Sequence, residues 1–189
     1  MKIARLTPFL SVSPQIAEAD LGALAAQGFR AVINNRPDGE AEHQAASGAL
    51  AAAAERVGLA YRHVPVVSGT ITDDDVAAFA TALGELKGPV LAFCRTGTRS
   101  TTLWALSEAG HLDPDAILAT AAEAGYDLSA LKPRLDLRWR TAGLASAPGR
   151  VVEFGPSTSH DVVIVGGAVP QGSPLRRACC AAGRRCRSR

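Results

Sequence analysis

Short apolar runs alternate with helix-length segments from residue 9 to residue 109, and this rhythm leaves few folds open. Phe9-Leu10-Ser11-Val12, Phe29 to Asn34, Tyr61 to Val66 and Pro89 to Phe93 read as strands. Between them, Ser13-Pro14 opens a helix through Leu21 and Leu24 that Gly28 stops, and an alanine-rich segment predicts a second helix from about Glu40 to Val57. Thr72 is a suitable cap for a third helix reaching Leu86, with Asp73, Asp74 and Asp75 in its first turn, where carboxylates meet the positive helix end. Further helices are expected at 100–109, at 114–124 behind Asp113-Pro114, and at 128–140. Strands joined through helices pair in parallel, so the expected fold is α/β: a mainly parallel sheet of four or five strands flanked by helices.

In such sheets, chemistry gathers beyond the carboxyl ends of the strands. Two segments fall there: the turn Asn35-Arg36-Pro37-Asp38-Gly39, and Cys94-Arg95-Thr96-Gly97-Thr98-Arg99-Ser100. The second places a thiol where a strand ends and a helix begins. Helix N-termini and neighbouring cations favour thiolates and bound anions. Arg95 and Arg99 supply positive charge, Gly97 lets the backbone come close to a bound group, and Ser100 is positioned to cap the next helix or to donate to the sulfur. Arg36 is a candidate guide for anionic substrates at the same mouth. The carboxylates available as a general acid are Asp38, Asp73, Asp74 and Asp75. The last three read first as helix-end charges and Asp38 first as a turn residue.

Charge separates the chain into two parts. Residues 162–189 hold six arginines and no acid, whereas residues 1–161 hold 14 basic and 18 acidic side chains, a net −4. The body is therefore mildly acidic and gives no footprint for nucleic acid. Cys94 is the one cysteine before residue 179, which argues against a disulfide scaffold and predicts a reducing, cytoplasmic setting. No apolar run reaches spanning length, so no membrane association is expected. His43, His63, His111 and His160 lack metal-ligand spacing, so neither a metal nor a cofactor is expected in the body.

The loop at Cys94 resembles that of single-domain rhodaneses, which carry Cys-x-x-Gly-x-Arg-Ser/Thr, here Cys94, Gly97, Arg99 and Ser100. Over roughly the first 110 residues the chain is more similar to the phosphatase-like domain of the beta-lactamase-hydrolase-like proteins. The matching stretches are Phe9-Leu10-Ser11-Val12-Ser13-Pro14-Gln15, Val32 through Glu40, and Cys94 through Ser100. This resemblance implies a cysteine-phosphatase-like fold with a rhodanese-like active loop. It also implies a fusion partner, either a flavin-dependent oxidoreductase or a persulfide-dioxygenase-like metallohydrolase.

Two chemistries remain open. Cysteine phosphatases carry Cys-x5-Arg, whereas four residues separate Cys94 from Arg99 here, a tighter ring suited to one sulfane sulfur. Sulfur transfer also needs no strong acid, because the leaving group is a stable anion. The leading expectation is thus a sulfurtransferase that carries a persulfide on Cys94. Arg99 and the loop residues Arg95, Thr96, Gly97, Thr98 and Ser100, with Arg36 and Asp38, would serve a small anionic sulfur donor and a thiol acceptor. The alternative is phosphoester hydrolysis through a phosphocysteine. A further one is a non-catalytic persulfide sensor or docking module.

The expected domain covers residues 1–140, followed by a Gly/Ala/Pro/Ser-rich linker at 141–160. Asp161-Val162-Val163-Ile164-Val165-Gly166-Gly167 resembles the first strand and turn of a dinucleotide-binding fold, but Ala168 and Pro170 break the pattern. A basic tail with Cys179, Cys180 and Cys186 follows. These features predict a truncated or frame-shifted remnant of a flavin- or nicotinamide-binding oxidoreductase.

Overall fold

The structure, a computed structural model, describes residues 2–146 of the 189. Five strands form one sheet: β1 (Ala4–Arg5), β2 (Leu10–Ser13), β3 (Ala31–Asn34), β4 (Ala60–His63) and β5 (Val90–Phe93). Their spatial order is β1-β2-β5-β3-β4, with β1 antiparallel to β2 and every other pair parallel. The helices are α1 (Asp20–Ala26), α2 (Ser47–Arg56), α3 (Asp73–Glu85), α4 (Thr98–Glu108), α5 (Pro114–Glu123) and α6 (Lys132–Ser146), with a 3-10 turn at Ser129–Leu131 before the last.

The two central strands are buried along their whole length, which is why Ala-Val-Ile-Asn and Val-Leu-Ala-Phe read as continuous apolar runs. Their side chains alternate between two cores. Ala31, Ile33, Val90 and Ala92 pack with Phe79, Leu103, Leu106 and Ile117, from α3, α4 and α5. Val32, Leu91 and Phe93 face Leu21, Leu24, Leu50 and Ala54, from α1 and α2. Helices thus cover both faces of the sheet. Helix α4 is buried on every side from Arg99 to Leu106, so its polar first turn lies inside the molecule and must find partners there.

Several boundaries differ from the expected ones, each for a local reason. Helix α1 begins at Asp20 rather than at Ser13-Pro14, because Ser13 completes β2 beside Phe93. Helix α2 begins at Ser47 rather than Glu40. The Asp38 carboxylate accepts hydrogen bonds from the Ser47 N–H at 2.8 Å and from its hydroxyl at 2.6 Å, which fixes the chain before the helix starts. Helix α4 begins at Thr98, because Gly97 takes a left-handed conformation (φ 91°) and turns the strand exit straight into the helix. Thr72 caps α3 with a reciprocal bond from Asp75, as its position predicts. Helix α6 continues to Ser146, six residues past the expected domain end. The remainder of the expected linker, the oxidoreductase-like remnant and the tail cysteines lie outside the described residues.

Candidate active site

Strands β3 and β5 are neighbours in register, with Asn34 opposite Phe93. Their exits therefore place Asn35 and Arg36 beside Cys94. Cys94 is 1% exposed, yet it lines a cleft of about 500 Å³ together with Arg95, Thr96, Thr98, Arg99 and Thr102. The Gly97 N–H points at the Cys94 Sγ from 3.2 Å. The first intrahelical bond of α4 runs from the Thr101 N–H to the Gly97 carbonyl, so the N–H groups of the preceding turn have no partner along the helix. The Thr98 N–H turns to Thr96 Oγ1 at 3.4 Å, which leaves the Gly97 N–H and the positive helix end on the sulfur's side of the loop, an arrangement that stabilises negative charge on the sulfur or on a group it carries.

A Schellman turn supports the loop from behind. Helix α5 ends with the Gly125 N–H on the Ala122 carbonyl and the Tyr126 N–H on the Ala121 carbonyl, both at 2.9 Å, with Gly125 at φ 88°. This directs Tyr126 inward against Gly97. A methyl group on Gly97 would lie 2.1 Å from the Tyr126 hydroxyl. Burial, together with the nearby charge of Cys94, raises the Tyr126 phenol above its usual range. The phenol thus stays neutral behind the loop.

Arg99 is held from two sides. Its Nη1 donates to the Asn35 carbonyl at 3.1 Å and its Nη2 to Glu40 Oε1 at 2.7 Å. Its Nε is buried without a partner among the described residues. The other oxygen of Glu40 accepts from Arg36 Nε at 2.6 Å, and Arg36 Nη1 donates to Gln15 Oε1 at 2.9 Å. One carboxylate therefore clamps two nearly buried guanidiniums. Partial burial pushes the Glu40 carboxyl up, but its bonds from Arg36 and Arg99 outweigh this and hold it below the usual carboxylate range.

The sign of that shift fixes a pH dependence. A carboxylate lowered in the fold stabilises the native state in full above its ordinary value of about 4.5, and that contribution is lost as the pH falls through the lowered value. Thermal melts from about pH 7 to about pH 3 should show an acid limb that is shallower in Glu40→Gln than in the native chain. Equal limbs would remove Glu40 from the set of linked groups.

Not every expected site residue joins the cleft. Arg95, Thr96 and Thr98 line it, whereas Gly97 is buried against Tyr126 and is not among its lining residues. Ser100 is fully buried and donates to Asn35 Oδ1 at 2.9 Å rather than to the sulfur, because α4 turns its hydroxyl toward the β3 exit. Arg36 is 6% exposed and bound to Glu40 and Gln15, so it braces the clamp instead of guiding substrates at the mouth. Asp38 is committed to Ser47 at the start of α2 and does not reach the cleft. Asp73 receives Arg134 at 2.6 Å and also Arg138, tying α6 to α3, and Asp75 belongs to the Thr72 cap. Four contributors escaped sequence reasoning: Glu40, Asn35, Gln15 and Tyr126. Asn35 opens the turn that the sequence marks, and Gln15 and Glu40 lie in the stretches that carry the family resemblance, but nothing local gives them these roles; Tyr126 leaves no trace.

Comparison with known proteins fits this geometry. A profile of the family described as "Beta-lactamase hydrolase-like protein, phosphatase-like domain" matches residues 2–111, more than half of the chain. The chain belongs to that family. A beta-lactamase hydrolase-like protein of Xylella fastidiosa is 41% identical over 130 residues, which cover 68% of this chain and 30% of that protein. The chain thus spans about a third of the length of the curated relatives it matches. A crystal structure from Neisseria meningitidis, provisionally described as a phosphatase, aligns with a TM-score of 0.67 at 36% identity, over 73% of this chain and 99% of its own. The core catalytic domain of a PP-IP phosphatase from S. cerevisiae aligns with a TM-score of 0.53 at 12% identity, over 77% of this chain and 93% of its own, a likeness of fold alone. The family and fold are those of phosphatase-like domains, so of the two expected chemistries the phosphatase alternative fits better than sulfur transfer. Among the described residues, no helix is long and apolar enough to cross a membrane, and no group of His, Cys, Asp and Glu is placed to hold a metal.

Proposed function

We propose that the chain is a cysteine-dependent phosphoester hydrolase in which Cys94 is the nucleophile. One observation carries the reading: a buried sulfur lines an open cleft, receives the Gly97 N–H, and sits beside a guanidinium whose Nε has no partner among the described residues. In the reaction, Sγ attacks phosphorus and an S–P bond forms as the ester P–O bond breaks. The N–H groups that begin α4 and the Arg99 guanidinium hold the equatorial oxygens, and Glu40 and Asn35 keep that guanidinium from swinging away. Water then attacks the phosphocysteine, releasing phosphate and restoring the thiolate. Tyr126 behind Gly97 keeps the loop in one shape.

The ring length favours a second reading. Four residues between Cys94 and Arg99 make a tight cradle that suits a persulfide, with thiosulfate or a small persulfide as donor and a thiol as acceptor. One paired assay separates the two. The purified chain is incubated with an aryl phosphate, and separately with thiosulfate and cyanide. Phosphate release without thiocyanate formation supports the phosphatase reading. Thiocyanate formation without phosphate release overturns it in favour of sulfur transfer.

A further inference from the structure

A phosphatase acting on an ordinary alkyl or aryl ester must protonate the departing oxygen, and the carboxylates near this cleft are badly disposed to do so. Glu40 is the one carboxylate among the described residues lining it, and both its oxygens are taken by Arg36 and Arg99. Asp38 is bound by Ser47, Asp73 by Arg134 and Arg138, and Asp75 by Thr72. Donated hydrogen bonds hold these four below the usual carboxylate range, although burial opposes this at Glu40. That is the opposite of what a general acid needs. Asp74, the remaining acid in the first turn of α3, is exposed and does not line the cleft.

The cleft offers cations instead. Arg95 is exposed, lines the cleft, and makes no ion pair among the described residues. Arg134 reaches the same cleft from α6, fixed by bonds from its Nη1 to the Ile71 carbonyl and from its Nη2 to Asp73. With Arg99, three guanidiniums line the cleft; Glu40 offsets Arg99 and Asp73 offsets Arg134, which leaves Arg95 as the uncompensated charge. Yet residues 2–146 as a whole hold 13 basic and 16 acidic side chains, a net −3. Positive charge is concentrated in one concavity of an acidic body, which focuses the field on a ligand carrying several negative charges. The remaining walls are mostly hydroxyls, such as Ser68, Thr70, Thr96 and Thr98, with no aromatic side chain among the described lining residues to stack a phosphotyrosine ring.

We propose that the site cleaves phosphoanhydrides, with the departing phosphate received by Arg95 and Arg134; this rests on the phosphatase reading of Cys94. The Cys94 thiolate attacks the terminal phosphorus, an S–P bond forms, and the bridging P–O bond breaks. The electron pair leaves on the bridging oxygen of the departing phosphate. That oxygen requires no proton, because its charge spreads over a phosphate facing two guanidiniums. Water then attacks the phosphocysteine, the P–S bond breaks with its electron pair left on sulfur as the thiolate, and of the two protons of that water one stays with the released phosphate and the other passes to solvent.

The test uses the full chain, without added divalent metal, and three probes: nitrophenyl phosphate, phenyl phosphate and inorganic tripolyphosphate. Nitrophenyl phosphate and tripolyphosphate are expected to be cleaved. Phenyl phosphate, whose leaving group is as basic as a tyrosine phenol at about 10, should lag nitrophenyl phosphate by about 100-fold or more, the usual worth of the missing acid. In Arg95→Ala, the ratio of kcat/KM for tripolyphosphate to that for nitrophenyl phosphate should fall by about 10-fold, the loss of one charge-assisted contact. Equal rates on the two aryl esters would overturn the proposal, as would intact tripolyphosphate beside cleaved nitrophenyl phosphate, or an unchanged ratio in Arg95→Ala. A folded chain that cleaves none of the three would overturn the phosphatase reading itself, and this proposal with it.

Discussion

Cys94→Ser is expected to abolish turnover, by about 10⁴-fold or more, while leaving the fold intact. The substitution is nearly isosteric at a side chain that is 1% exposed, so it opens no cavity worth measuring. The Gly97 N–H that now meets sulfur at 3.2 Å would find a serine oxygen in its place. The chemistry changes sharply, however. Among the described residues, no histidine or free carboxylate lines the cleft to take a proton from a serine hydroxyl, so the oxygen stays protonated and poorly nucleophilic. The loop, Arg99 and the helix end remain, so Cys94→Ser should still bind phosphate or vanadate. Loss of that binding together with loss of turnover, or a collapsed melting temperature, would mean that Cys94 matters for packing rather than for chemistry.

Gly97→Ala is the second large effect. Two costs coincide at this residue. Its φ of 91° is one that residues with a Cβ rarely adopt, and the added methyl would lie 2.1 Å from the Tyr126 hydroxyl and 2.7 Å from the ring carbon that bears it. Tyr126 is locked by the Schellman turn of α5 and is 8% exposed, so it has little room to retreat. The loop must then flatten, moving the Gly97 N–H away from Sγ and tilting the first turn of α4. A displacement of about 1 Å in a catalytic constellation costs about 100-fold in rate, and the backbone strain adds about 1–3 kcal/mol of destabilisation. Activity and melting temperature are therefore expected to fall together. The double variant Gly97→Ala with Tyr126→Phe, which removes the clashing oxygen, should recover part of both. No recovery would place the cost in the backbone conformation and in the ring carbons, which stay within 3 Å of the added methyl.

The parts of the fold that were legible in the sequence are those where burial writes a pattern. Strands β3 and β5 are buried on both faces and read as unbroken apolar runs, and helix α3 announces itself through Thr72 and three acids at its positive end. Strand β1 was missed because two residues, Ala4 and Arg5, are too short to show alternation. Helix α2 starts later than the sequence suggests because Ala41, Ala45 and Ala46 favour a helix locally, whereas the bonds from Ser47 to Asp38 set its beginning seven residues after Glu40.

The site divides in the same way. The thiol, the left-handed glycine and Arg99 are contiguous, and a helix N-terminus gives their order a physical meaning. The residues that orient them come from other elements: Asn35 and Glu40 from the β3 exit, Gln15 from beyond β2, and Tyr126 from the end of α5. Nothing in the local sequence reports that Tyr126 touches Gly97, since the contact exists only once α5 has folded back over α4. Arg36 and Asp38 lie in the turn that the sequence marks. Both serve structure there, one bracing Glu40 and the other holding α2.

The account stands or falls on a covalent bond to Cys94. The direct measurement is rapid acid quench of the purified chain during turnover of nitrophenyl phosphate, followed by intact-mass and peptide analysis. The expected result is a mass increment of one phosphoryl group, confined to the peptide containing Cys94, formed as fast as nitrophenol appears and absent in Cys94→Ser. Nitrophenol release with no adduct and at an undiminished rate in Cys94→Ser would contradict it.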